Sequence, residues 1–253
     1  MSSNTRTTVA ANPAAAPAPS RRTLLRTAVA GTAVAGAGLA LGSATTASAA
    51  SWEAESSGRV TTPAQALRRL AAGNERWRTH RQEHPHESAY VRRRLVEGQN
   101  PFAIVLGCVD SRVPPELVFD QGLGDLLTVR SAGEVLDEAV LGSIAYGVLE
   151  LHVPLVLVLA HQSCGAVAAA VHADETNEPL PAHIQYLADQ IRPSIDHTQH
   201  GDARVDATIN AHVRTVRRRL AAEPDIAAKV ARGQLAVVAA RYELRDQRVR
   251  TLA

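Results

Sequence analysis

The stretch FAIVLGCVDSR, residues 102–112, joins a continuous apolar run to a cysteine, an aspartate and an arginine. Its apolar part, residues 102–107, predicts a short strand buried on both faces, as in parallel sheets covered by helices. A stronger run of the same kind, PLVLVLA at residues 154–160, ends directly before His161. The stretch therefore favours an interior strand with chemically active side chains at its carboxyl end.

The order of the remaining patterns supports an α/β fold. Residues 126–130 predict another strand, and residues 135–151 predict a largely buried helix before the strand at 154–160. This succession of strand, helix and strand predicts a central, mainly parallel sheet with flanking helices. Thr62-Pro63-Ala64-Gln65 is a capping box, with proline at the first helical position, and predicts a helix over 62–79. The other expected elements are helices over 182–199 and 204–232, and a closing strand and hairpin over 234–241 and 248–252.

Three metal-ligating side chains stand where functional sites form in such sheets. Ligands bind beyond the carboxyl ends of parallel strands, and both Cys108 and His161 directly follow a predicted strand. Cys164 lies three residues after His161, where a new helix is expected; a helix N-terminus lowers the pKa of a thiol and favours the thiolate. Two cysteines and one histidine are a suitable ligand set for catalytic zinc, which keeps its fourth position open.

A disulfide between the two cysteines is the simpler alternative. The N-terminal residues, described below, predict export, and exported proteins commonly contain disulfides. The neighbouring residues favour zinc over this alternative. Asp110 and Arg112 place a carboxylate and a guanidinium close to Cys108. A carboxylate–guanidinium pair plays no part in a disulfide. The oxygen nucleophile of a metal site, by contrast, needs a hydrogen-bond acceptor held in one orientation.

The motifs C-x-D-S-R at 108–112 and H-x-x-C-G at 161–165 together resemble the two signatures of beta-class carbonic anhydrases. The resemblance extends from about Thr62 to the C-terminus. It implies an α/β fold with a central sheet, zinc on the two cysteines and the histidine, obligate dimers, and reversible hydration of CO2 to bicarbonate.

The same resemblance implies roles for further residues. Asp110 and Arg112 match the family's Asp–Arg dyad, in which the arginine keeps the aspartate ionised and oriented. Gln99, Tyr146 and Gly165 match positions that contact substrate. If Arg112 released its carboxylate, Asp110 would become a fourth zinc ligand in a closed, inactive state.

Two other functions remain open at this point. One is hydrolysis of carbonyl sulfide or carbon disulfide at the same zinc site, because the sequence does not show access to the cleft. The other is a non-enzymatic, exported binding domain stabilised by a disulfide or by zinc. Metal content, thiol titration and a CO2 hydration assay separate the three.

The first 49 residues predict an export signal rather than part of the fold. They contain four of the 27 basic residues and none of the 25 acidic ones. Arg21 and Arg22 precede an uncharged stretch and resemble a twin-arginine signal, and Ala47-Ser48-Ala49 fits a cleavage site. We expect residues 1–49 to be removed, with no stable membrane span left, and residues 50–253 to form one domain at the cell envelope or outside the cell. That domain carries a slight excess of negative charge, which argues against nucleic-acid binding.

Overall fold

A five-stranded sheet organises the fold of this protein in a computed structural model, which describes residues 59–253. The predicted export signal lies outside the described residues. The strand order is β2-β1-β3-β4-β5; the first four strands are parallel and β5 is antiparallel to β4. The α/β prediction with a mainly parallel sheet is thereby confirmed. The strands are β1 Ala103–Gly107, β2 Leu126–Arg130, β3 Leu155–His161, β4 Ala236–Tyr242 and β5 Val249–Leu252.

The central strands β1 and β3 are buried along their whole length, as their continuous apolar sequences predicted. Successive side chains of a strand point to opposite faces, so each strand feeds two cores. In β1, Ile104 and Leu106 belong to the larger apolar cluster, whereas Ala103 and Val105 belong to the smaller cluster on the other face. Both faces of the sheet are therefore covered, and the chemically active side chains are confined to the strand ends.

Helices cover both faces of the sheet. The predicted capping box is present at Thr62: its side chain accepts a hydrogen bond from the Gln65 amide, and the Gln65 side chain accepts one from the Thr62 amide. Such a cap stabilises a helix by about 1 kcal/mol. The helices are α1 Pro63–Arg78, α2 Ala89–Arg94, α3 Pro115–Val118, α4 Glu138–Leu149, α5 Gly165–Thr176, α6 Ile184–Ile191, α7 Gly201–Ala222 and α8 Pro224–Ala231.

Two predicted helices are wrong in extent, and prolines account for both differences. The helix expected over 182–199 is only α6, followed by a 3₁₀ turn that contains Pro193. The helix expected over 204–232 is divided into α7 and α8 at Glu223, which is extended because it precedes Pro224. The two short helices α2 and α3 were not predicted.

Pairing between β1 and β3 determines where the candidate ligands meet. Gly107, the last residue of β1, is in register with Leu159 of β3. Parallel strands end at the same edge, so Cys108 and His161 emerge side by side. None of the helices within residues 59–253 is both long and apolar enough to cross a membrane.

Candidate metal centre

The three predicted ligands converge at the carboxyl edge of the sheet. Cys108 directly follows β1, His161 is the last residue of β3, and Cys164 is the N-cap residue of α5. Their exposed fractions are 4%, 0% and 1%. Their ligand atoms all lie within 4.8 Å of one another. Residues up to 56 positions apart in the chain thus form one buried cluster of suitable donors.

The distance between the sulfurs separates the zinc and disulfide interpretations. The Sγ atoms of Cys108 and Cys164 are 4.0 Å apart, and both cysteines are free. A disulfide would bring the sulfurs to about 2 Å. Two thiolates at about 2.3 Å from a tetrahedral zinc would stand roughly 3.8 Å apart. The spacing therefore fits a shared metal and excludes a disulfide in this structure.

The hydrogen bonding of His161 prepares it for coordination. Its Nδ1 lies 2.9 Å from the carbonyl oxygen of Gln162; a carbonyl can only accept, so Nδ1 carries the proton. In the tautomer that serves as a metal ligand, the lone pair is then on Nε2. This buried atom has no hydrogen-bond partner among the described residues. A backbone carbonyl that fixes one ring nitrogen while the other remains available is typical of metal-ligating histidines.

The pKa of Cys164 corrects one of our expectations. The helix N-terminus does act on this thiol, since the Val167 amide lowers its pKa, but other effects are larger. The hydrogen bond with Cys108 and burial together raise the pKa of Cys164, whereas the pKa of Cys108 is lowered, first because Cys164 donates to it. The two buried thiols therefore differ: the pKa of Cys108 is lowered and that of Cys164 is raised.

The Asp–Arg dyad lies next to the ligands on the solvent side. Arg112 binds Asp110 with two parallel hydrogen bonds, Nε to Oδ1 at 2.9 Å and a terminal nitrogen to Oδ2 at 2.7 Å. The guanidinium lowers the pKa of Asp110 to about 2. Arg112 also donates to the carbonyl of Ser163, next to Cys164. Asp110 Oδ2 is 3.8 Å from His161 Nε2, so an ionised, oriented carboxylate borders the cluster.

Two residues that support this arrangement were missed in the sequence. Arg130, at the end of β2, donates to the carbonyl oxygens of Cys108 (2.8 Å) and Asp110 (2.7 Å) and so fixes the loop that carries the dyad. The amide of Gly133 donates to Cys108 Sγ at 3.4 Å. Arg130 is the last residue of β2, and Gly133 lies in the segment that follows this strand. The rule that sites form at strand ends would have found this segment, had it been applied to β2 as well as to its neighbours.

Glu134, in the same segment, is an unusual buried carboxyl. It is 2% exposed, and its Oε1 has no hydrogen-bond partner within the described part of the chain. Burial, together with the charge of Cys108, raises its pKa well above the ordinary value. The site thus has a carboxylate with a lowered pKa at its surface and a buried carboxyl with a raised pKa beneath it.

The predicted substrate residues are exposed, whereas the three ligands are buried. Gln99 is exposed in the segment before β1, and Tyr146 is 48% exposed on α4. Among the described residues, neither side chain forms a hydrogen bond or ion pair with the cluster or dyad. Gly165 begins α5 directly after Cys164, and an added Cβ there would meet no other part of the described chain within 4 Å beyond its immediate neighbours. The substrate roles of all three stay predictions.

Comparison with known proteins agrees with this geometry. A family model described as carbonic anhydrase matches residues 103–249. Carbonic anhydrase 2 of Mycobacterium tuberculosis is 43% identical over 190 residues, which cover 74% of this chain and 92% of that protein. The structure of the beta-carbonic anhydrase CcaA is similar with a TM-score of 0.61 at 22% identity, covering 74% of this chain and 95% of that one.

The fold is also that of two tetrameric beta-carbonic anhydrases from Sordaria macrospora, with a TM-score of 0.61 at 20% identity, covering 72% of this chain and 94% of the other. The segment matched by the family model contains all three ligands and the dyad. This chain therefore belongs to the carbonic anhydrase family and has the beta-class fold.

Proposed function

We propose that this chain is a zinc-dependent carbonic anhydrase that interconverts carbon dioxide and water with bicarbonate and a proton. The observation that carries the proposal is the buried cluster of Cys108, His161 and Cys164, with the Asp110–Arg112 pair beside it. Its family membership supports the same reaction.

Cys108, His161 and Cys164 would hold the zinc, for three reasons. Their donors suit zinc, the two sulfurs have the spacing of a shared tetrahedral ion, and His161 Nε2 is a buried lone pair otherwise unused. When bound, zinc supplies the Lewis acidity that makes water a nucleophile near neutral pH. The other chemical tasks fall to this chain's own residues.

Asp110 would orient the attacking water by accepting a hydrogen bond from it, which directs an oxygen lone pair toward the carbon of CO2. Arg112 holds both carboxylate oxygens and keeps Asp110 ionised throughout the physiological pH range. Because Arg130 fixes the backbone of the same loop, the acceptor stays in one place. If the Asp110–Arg112 pair separated, Asp110 would become a fourth zinc ligand and close the site.

Gln99, Tyr146 and Gly165 are proposed to contact substrate. Gln99 and Tyr146 are exposed in the single chain, so both side chains are accessible to a small molecule. The open space at Gly165, one residue from a ligand, leaves room for a small molecule.

A stopped-flow CO2 hydration assay on the zinc-loaded mature chain tests this function. We expect turnover that disappears on zinc removal and returns when zinc is restored. Carbonyl sulfide and carbon disulfide are assayed in parallel. Faster turnover of either sulfur compound than of CO2 would assign the site to the alternative hydrolase, and no turnover of any of the three would leave only a zinc-binding domain.

We also propose export by the twin-arginine route, with cleavage after residue 49 and residence at the cell envelope or outside the cell. A zinc enzyme with reduced cysteines suits a route that carries folded proteins. Replacement of both Arg21 and Arg22 by lysine is expected to retain the protein inside the cell, and unchanged secretion of that variant would overturn the route.

A homodimer or higher homo-oligomer is proposed as the working form. The structures from Sordaria macrospora are of tetrameric enzymes, and they share this fold. Sedimentation equilibrium of the mature chain is expected to give at least twice the monomer mass, and a monomer with full activity would contradict the proposal.

A further inference from the structure

A continuous hydrogen-bond chain runs from Cys108 away from solvent into the core. Its first link is the Gly133 amide, which donates to Cys108 Sγ at 3.4 Å. Its second link joins the Gly133 carbonyl oxygen to Nε2 of His212, on α7, at 2.8 Å. Its third joins Nδ1 of the same ring to Oγ of Ser194 at 3.4 Å. Gly133 thus connects His212 of helix α7 to a metal ligand, and Ser194 supports the other side of the His212 ring.

The direction of each bond follows from donor chemistry. The carbonyl of Gly133 can only accept, so Nε2 of His212 carries a proton. The remaining lone pair on Nδ1 then accepts from the Ser194 hydroxyl. His212 is 2% exposed, and burial lowers its pKa to about 4, so the ring is neutral at neutral pH. A neutral ring with one donor and one acceptor satisfies every link.

Gly133 needs such a clamp because of its conformation. Its φ is +66°, in the left-handed region that favours glycine, and a Cβ there would lie 2.9 Å from Ile191 Cδ1. Glycine is also the residue with the greatest backbone freedom. Hydrogen bonds on both sides of its Cα, to Cys108 and to His212, fix both of its soft dihedral angles.

We propose that His212 is a positioning residue of the metal centre: it anchors the Gly133 carbonyl so that the Gly133 amide donates to the Cys108 thiolate. The inference rests on the zinc-binding role proposed above for Cys108. An N–H donor on a metal thiolate withdraws electron density from sulfur and orients the ligand. Loss of an outer hydrogen-bond partner commonly costs about 10–100-fold in metal affinity or activity.

The test compares two kinds of replacement at one position. His212→Gln keeps an N–H donor near the place of Nε2, whereas His212→Leu and His212→Met fill the volume without a donor. Thr208→Val is the matched control; this buried side chain lies one turn earlier on α7 and accepts from the Asp196 amide, away from Gly133. It removes a buried hydrogen bond from the same helix without touching the chain to Cys108.

Two readouts besides activity are measured on holoenzyme: zinc affinity by chelator competition, and the thiolate-to-metal charge-transfer absorption of the cobalt-substituted protein. We expect the leucine and methionine variants to bind zinc about 10–100-fold more weakly. Their charge-transfer band should move to longer wavelength, because a thiolate without the N–H donor is easier to oxidise. The glutamine variant and the Thr208→Val control should resemble the wild type in both.

Three results would overturn the inference. Leucine and methionine variants with wild-type affinity and spectrum would show that the clamp does not act on the metal. Equal changes in the Thr208→Val control would reduce His212 to a general stabilising role. Wild-type protein that takes up no zinc would overturn the proposed function together with this inference, whereas zinc-loaded wild type with unaffected variants would overturn this inference alone.

Discussion

The buried and solvent sides of the metal centre differ in what surrounds them. On the buried side are the ligands, with Gly133 and His212 behind Cys108 and exposed fractions of 4% or less for Cys108, His161, Cys164 and His212. On the solvent side are Asp110 and Arg112, whose side chains are 16% and 52% exposed. The buried groups are enclosed by core side chains, whereas the dyad is held mainly by hydrogen bonds, both within its own loop and with Arg130 and Ser163.

Metal retention and turnover are therefore expected to depend on separate sets of residues. Changes on the buried side should alter zinc affinity and fold stability together. Changes on the solvent side should leave the metal in place and slow the reaction. A solvent-side variant that loses zinc, or a buried-side variant that keeps wild-type zinc affinity, would contradict this division.

The largest expected effect is loss of a ligand. Cys108→Ser, His161→Ala and Cys164→Ser each remove one of three protein donors, so each should abolish zinc retention and CO2 hydration. Zinc per chain, measured by atomic spectroscopy on purified protein, checks this. Stoichiometric zinc in any one of the three variants would remove that residue from the ligand set.

Arg112→Ala should have the next largest effect, on the solvent side. Without the guanidinium, Asp110 loses the main cause of its low pKa and its orientation. We expect full zinc content and a rate about 10–100-fold lower. Arg112→Lys is the control: it keeps the charge but not the paired hydrogen bonds, so its rate should be intermediate. Undiminished turnover in the alanine variant would contradict the role of the dyad.

The burial of His212 predicts that the free energy of unfolding depends on pH. Its ordinary pKa of 6.5 falls to about 4 on folding, so between these values the unfolded chain binds a proton that the folded chain does not. The stability of the folded chain that depends on a neutral His212 is therefore fully present above about pH 6.5. It is lost as the pH falls toward 4, by on the order of 3 kcal/mol in total.

Urea unfolding of wild type and His212→Gln at several pH values between 7.5 and 5 measures this effect. The free energy of unfolding should fall more steeply for wild type, so the difference between the two proteins changes with pH. Parallel curves would show that His212 does not titrate as its burial requires.

Gly165→Ala should have the smallest effect. Gly165 begins α5, and among the described residues nothing lies within 4 Å of an added Cβ. Stability should stay the same or rise by up to about 1 kcal/mol, because alanine favours helix. Gly142→Ala, in the equally open interior of α4, is the matched control. If Gly165 borders substrate, the apparent KM for CO2 should rise in the first variant only; equal kinetics would remove Gly165 from the cleft.

The sequence predicted the sheet and the ligands because both depend on strong local signals. Continuous apolar runs identify buried strands, and polar or sulfur-containing residues directly after them mark the edge where sites form. Cys108 and His161 meet both conditions. Helix ends at Pro193 and Pro224 were predictable in principle from the restrictions that proline imposes, but the helical periodicity on either side concealed them.

The surroundings of the ligands were less accessible to sequence reasoning. His212 lies 48 residues beyond Cys164 on a helix that reads as amphipathic, and nothing local distinguishes it from an ordinary core histidine. The opposite pKa shifts of the two cysteines depend on a sulfur–sulfur distance, which only tertiary structure supplies. The sequence showed only the helix N-terminus at Cys164, which predicts a lowered pKa. In the structure the nearby Cys108 and burial raise the pKa of Cys164 instead.

Metal content combined with thiol accessibility of the wild-type protein is the decisive measurement for zinc bound by Cys108, His161 and Cys164. We expect one zinc per chain and two cysteines that resist a thiol reagent in the native holoenzyme. After chelation and unfolding, both thiols should react without prior reduction. Absence of zinc, or thiols that become reactive only after a disulfide reductant is added, would show that the two cysteines do not bind zinc.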